Sequence, residues 1–172
     1  FTITSPGVAG VYVVGGVTNA TVQGNLIQAS SGHNALLAED GARNDPTREE
    51  TLTGAASQLI YINGQTSVSI ASTNVDITNN VFSGSAPTGP LLGLESTGGD
   101  ITGNQFIGST SYTGVELWGG GNNISGNTFG VSGGGSQVLD PLAQYNMGTI
   151  LGANTFSTGA VTVEHSGNLL PQ

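Results

Sequence analysis

The chain has 172 residues with two basic and eleven acidic side chains, no lysine, and a formal net charge of −9. With arginine only at Arg43 and Arg48, it lacks the positive charge needed to neutralise phosphates, so nucleic acid is not expected as a partner. Cysteine is absent, which rules out a disulfide framework, and no run of roughly eighteen apolar residues is present to span a membrane as a helix.

Taken in chain order, short apolar runs predict strands at 11–14, 59–62, 68–70, 91–94, 115–118 and 161–163. Between them one motif recurs. It reads Thr21-Val-Gln-Gly-Asn-Leu-Ile27, then Asp76-Ile-Thr-Asn-Asn-Val-Phe82, Asp100-Ile-Thr-Gly-Asn-Gln-Phe106, Asn123-Ile-Ser-Gly-Asn-Thr-Phe129 and Ile150-Leu-Gly-Ala-Asn-Thr-Phe156. The central asparagines are Asn25, Asn80, Asn104, Asn127 and Asn154, with gaps of 55, 24, 23 and 27 residues. A period in the twenties is the mark of a solenoid.

Within the motif an aliphatic residue stands three before the asparagine and Ile or Phe two after it. Residues five apart on a straight strand face opposite sides, so both can point inward only if the chain turns between them. The Gly-Asn or Asn-Asn pair supplies that turn, because these residues best tolerate the left-handed backbone of a tight corner. Corners stacked about 4.8 Å apart would let the amides bond to one another as a ladder.

The 55-residue gap leaves room for a sixth, weaker corner, read at Glu50-Thr-Leu-Thr-Gly-Ala-Ala-Ser57 with Leu52 inward and Ala55 in the asparagine slot. The preceding segment 39–50 holds seven of the charged residues and is expected to be a loop expelled from the coil. Six corners imply about seven coils. Phe1 lies 26 residues before Ile27 and is expected just after a missing corner. Both ends are expected to stop in mid-coil without a cap, as in a segment of a longer solenoid or a subunit that stacks on its neighbours.

The repeats resemble those of the right-handed parallel β-helix, pectate-lyase-like superfamily. That resemblance implies an all-β solenoid over 1–172, with an asparagine ladder and one polar insertion. It does not fix an activity, since lyases, polygalacturonases, epimerases, phage tailspikes and adhesins share the coil. The polygalacturonase pattern of clustered aspartates with Gly-His-Gly and Arg-Ile-Lys is not found here.

Chemistry must therefore come from the outer face. A uronate lyase needs a cation and a base, and this chain offers two arginines in one segment, His33, His165 and four tyrosines. Calcium could replace the missing cations, since Glu39, Asp40, Asp45, Glu49 and Glu50 are hard oxygen donors close in sequence, with Asp40, Asp45 and Glu49 as the candidate ligands, although the spacing matches no calcium loop. Glycoside hydrolysis needs two carboxylates about 5–9.5 Å apart. Glu95 and Glu116 on successive coils are the candidates, with Trp118 as a sugar-stacking face. Strand alternation alone also places polar residues at those positions.

The expectation from sequence is thus a structural or adhesive rod more than an enzyme. Its composition suits a bacterial extracellular or cell-surface protein, its partners being further copies or neighbouring solenoid segments. The alternative is a β-helix that binds or cleaves polysaccharide as a hydrolase, lyase or tailspike-like depolymerase.

Overall fold

A computed structural model describes residues 1–4, 9–13, 17–29, 33–38, 47–54, 59–62, 72–133, 136–140, 150–156, 163–165 and 170–171. The fold is a parallel β-solenoid in which the chain visits three sheets in turn and then repeats. The first sheet stacks Thr2–Thr4, Leu26–Ala29, Thr51–Gly54, Val81–Phe82, Gln105–Phe106, Thr128–Phe129 and Thr155–Phe156. The second stacks Ala9–Val13, Asn34–Ala38, Ile60–Ile62, Leu92–Leu94, Thr113–Leu117, Ser136–Asp140 and Val163–His165. The third stacks Val22–Gln23, Thr47–Arg48, Ile77–Thr78, Asp100–Thr102, Asn123–Ser125, Ile150–Leu151 and Leu170–Pro171. The strand expected at 68–70 lies outside the described residues.

Register explains the motif. Ile77, Ile101 and Ile124 are aligned on the third sheet, and Phe82, Phe106, Phe129 and Phe156 are aligned on the first. Except for Phe156, all of these are fully buried. The four rings stack at centroid separations of 4.5, 4.8 and 5.2 Å with interplanar angles of 21°, 9° and 15°. Leu36, Ile60, Leu92 and Val115 form the matching buried row on the second sheet.

The turn between third and first sheets is made at the residue before the ladder position. Asn79, Gly103 and Gly126 there have φ of 56°, 68° and 65°. At Gly103 an added Cβ would also lie 2.3 Å from Asn79 Oδ1, so a side chain there would have to displace that amide as well as adopt the left-handed backbone.

Three details of the sequence reading are corrected. Leu52 pairs with Ile27 and Phe82, so it fills the slot after the corner, while Thr47 pairs with Val22 and Ile77 in the aliphatic slot before it. The ladder position of that coil is therefore Glu50 and not Ala55. Of the expected loop 39–50, residues 39–46 lie outside the described residues, but Thr47–Arg48 is a strand of the third sheet. At the start of the chain Ile3 pairs with Ile27, so Ile3 fills the hydrophobic slot, and Phe1 is 99% exposed beside the ladder column.

Candidate functional site

The corner between the third and first sheets carries a continuous column of polar side chains. Asn80, Asn104 and Asn127 are buried there. Asn80 donates its backbone N–H and its Nδ2 to Asn104 Oδ1 at 2.9 and 3.1 Å. Asn104 does the same to Asn127 at 2.9 and 3.0 Å, and Asn127 to Asn154 at 2.9 and 2.9 Å. A second Nδ2 hydrogen turns back to a main-chain carbonyl of the preceding coil: Asn104 to Ile77 at 2.7 Å, Asn127 to Ile101 at 2.7 Å and Asn154 to Ile124 at 2.9 Å. The amides of Asn80, Asn104 and Asn127 thus donate to both neighbouring coils, and the column has a direction. Donation within the column always runs toward the coil of higher residue number.

Glu50 interrupts the amides. It has no exposed surface, donates its backbone N–H to Asn80 Oδ1 at 2.9 Å, and accepts from Asn25 N–H at 3.2 Å and Asn25 Nδ2 at 3.1 Å. The sequence pattern placed Glu50 in the expelled loop and missed its ladder role, and it missed Asn122 altogether. Asn122 is buried, accepts from Gly99 N–H at 3.0 Å, and donates to Ser96 O at 3.0 Å and Gly119 O at 2.7 Å. Gly121-Asn122 repeats the left-handed-glycine-then-asparagine signature, with Gly121 at φ 69°, and that signal could have found it.

The proposed catalytic pair lies on the outer face of the second sheet. Val115 and Leu117 are fully buried while the alternating Glu116 and Trp118 are only half-buried, as strand geometry requires. Glu116 pairs with Gly93, which carries no side chain, and Trp118 donates its backbone N–H to Leu94 O at 2.9 Å. Continuing this register places Glu95 beside Trp118 and diagonal to Glu116 on the neighbouring strand. Burial pushes the Glu116 carboxyl above the usual carboxylate range, and the charge of Glu95 adds to the effect.

The other candidates are dispersed. Asp40 and Asp45 lie outside the described residues, and Glu49 is exposed, accepting from Gln23 Nε2 at 2.7 Å. Among the described residues no group of three or more His, Asp or Glu side chains could hold a metal ion. His33 sits at the start of a second-sheet strand, and His165 pairs in register with Asp140 near the far end of that sheet.

A shallow depression of about 380 Å³ opens where the first sheet leads toward the second, lined by Ser83, Ser85, Ser109, Ser132, Ile107 and three glycines. No described helix is long and apolar enough to cross a membrane. In comparison with known proteins, no family model, no curated protein and no solved structure matches this chain.

Proposed function

We propose that this chain is a structural or adhesive rod, an extracellular β-solenoid of the pectate-lyase-like type that assembles end to end. The observation that carries this reading is the equivalence of its coils. From the coil of Asn80 to that of Asn154 each coil offers the next an inward phenylalanine, the same amide donors and the same acceptor, so coils add without a new kind of contact. The partly buried members of the core are Ile3, Val11, Val13 and Val22 in the first coil and Phe156 in the last ring of the stack. A further coil, from the same chain or from another copy, would complete their burial. Because the amide column is directional, such stacking runs head to tail, a heterologous contact that leaves an open filament and not a closed pair.

Sedimentation velocity across a concentration series tests this. Species that grow by whole-chain increments, without a plateau at the dimer, are the expected result. A monomer at every concentration would refute end-to-end assembly.

The second reading is a carbohydrate-binding or carbohydrate-cleaving β-helix centred on Glu95, Glu116 and Trp118. It is favoured by one observation: Glu116 is half-buried, with its carboxyl raised by that burial, and diagonal to a second carboxylate, the kind of pairing that can separate an acid from a base in glycoside hydrolysis. On this reading Glu116→Gln lowers turnover of a cleaved polysaccharide by about 10²-fold or more, with the fold unchanged. Trp118→Ala weakens its binding. Affinity and turnover unaffected by both changes would eliminate this second reading.

A further inference from the structure

Charge is unevenly placed around the rod. Every charged side chain among the described residues lies on or beside the second sheet, the third sheet or the ladder corner. The seven strands of the first sheet carry none, and neither do the turns 83–91, 107–112 and 130–133 that lead away from it. What this side presents instead is hydrogen-bonding and apolar. Threonine stands on four of the seven strands, Gln28 and Gln105 are exposed, and so are Leu26 and Ile107, at 41% and 47%.

Beside these strands the surface is hollowed along the rod axis. Ser85, Ser109 and Ser132 stack in register on three successive coils, and with Ile107 they line the depression of about 380 Å³. A second hollow of about 180 Å³ shares Ser85 and Ser109 with it and so continues it. Coil stacking fixes the floor, since an added Cβ would lie 2.7 Å from Gly54 O at Gly84 and 2.3 Å from Gly84 O at Gly108. The hollow is thus preformed. Ser83 and Ser132 donate their hydroxyls to Leu52 O and Gly108 O, each at 3.3 Å, and keep their oxygen lone pairs as acceptors. The half-buried Ser85 and Ser109 hydroxyls have no partner among the described residues, so each offers a donor as well as an acceptor.

We propose that this side of the rod is a binding face for a neutral polysaccharide, whose chain lies along the rod axis in the serine-lined hollow with Ile107 against a sugar ring. The proposal names the ligand of the adhesive reading above and rests on it. A net charge of −9 repels polyanions such as uronate polymers, and this side has no carboxylate to hold a cation or a basic ligand. Hydroxyl and amide groups beside exposed aliphatic carbon match the two surfaces of a sugar, its hydroxyl edge and its C–H face. Equivalent positions recur about every 4.8 Å along the axis, so a ligand that itself repeats engages several coils at once and its weak contacts reinforce one another. The face is separate from Glu95, Glu116 and Trp118, which belong to the second sheet.

The test titrates the wild-type chain with a neutral β-glucan, a galactomannan and polygalacturonate, reading affinity by calorimetry and backbone amide shifts by NMR. At least one neutral polymer is expected to bind, with shifts concentrated at 83–85, 107–109 and 132, and polygalacturonate is not. Ile107→Asp and Ser109→Ala should each weaken binding about tenfold or more, whereas Thr102→Asp, which puts the same charge on the third sheet, should not. The wild-type shift map decides the matter even where a variant does not fold. Binding of neither neutral polymer, shifts centred on 116–118, or equal binding of polygalacturonate would overturn the proposal. Sedimentation of the same chain without polymer reads end-to-end growth separately, so absent glycan binding with growth intact refutes this face and leaves the rod standing.

Discussion

Phe106→Ala is expected to lower stability by about 3–5 kcal/mol, the cost of emptying a large buried aromatic site. The ring is fully buried and sandwiched between Phe82 and Phe129 at 4.5 and 4.8 Å. Its loss leaves both neighbours facing a gap, and the main chain cannot close it, because the strands are pinned by ladder bonds such as Gln105 N–H to Asn80 O at 2.8 Å and Thr128 N–H to Asn104 O at 2.8 Å. Aromatic stacking adds about 0.5–1.5 kcal/mol beyond simple burial. In a solenoid each coil touches only its neighbours, so the damage should be local. Hydrogen exchange is expected to accelerate most around 81–82 and 128–129. Phe106→Leu, which keeps most of the volume, should cost less than about 1.5 kcal/mol. Urea and thermal denaturation check these values, and an alanine variant melting within a degree of wild type would exclude the ring stack as a source of stability.

Asn104→Ala is expected to cost about 3 kcal/mol or more, although it removes far less apolar surface. Asn104 Oδ1 accepts two bonds from Asn80, and its Nδ2 donates to Ile77 O and Asn127 Oδ1. Alanine removes all four and leaves their partners in a buried site, where each stranded group costs about 1–3 kcal/mol. Asn104→Asp separates shape from hydrogen bonding. The carboxylate still accepts from Asn80 but cannot donate to Ile77 O, and it places a charge in the interior. It should be at least as destabilising as alanine at neutral pH and recover in acid, where the carboxyl is neutral. The same melts measured at two pH values decide this; an aspartate variant indifferent to pH would show that the column admits water.

Much of this architecture is legible in the repeats because the same physical demand recurs each coil. An aliphatic residue three before and an aromatic two after the ladder asparagine must both face inward, so Ile101 and Phe106 announce the bend between them. Legibility fails where a coil meets the demand with unusual residues. Thr47 takes the aliphatic slot and Glu50 the amide slot, leaving Leu52 as the one hydrophobic residue of its motif. Since the two inward slots lie five residues apart, Leu52 could be assigned to either, and only strand register shows which. Phe1 misled in a similar way: its aromatic side chain suggests the Phe slot, which Ile3 occupies. On the outer face, alternation correctly places Glu116 and Trp118 outside the core. The proximity of Glu95 to Glu116 depends on the stagger between neighbouring strands and on Gly93, and neither is written in the motif.

The head-to-tail rod can be tested most directly by electron microscopy of the purified chain across a concentration series. Seven strands per sheet at a spacing of about 4.8 Å give each chain a length of roughly 34 Å. Unbranched filaments one solenoid wide, polar along their axis and repeating at that length, are the predicted result. Isolated particles of single-chain length at every concentration, or closed pairs joined end to like end, would contradict it.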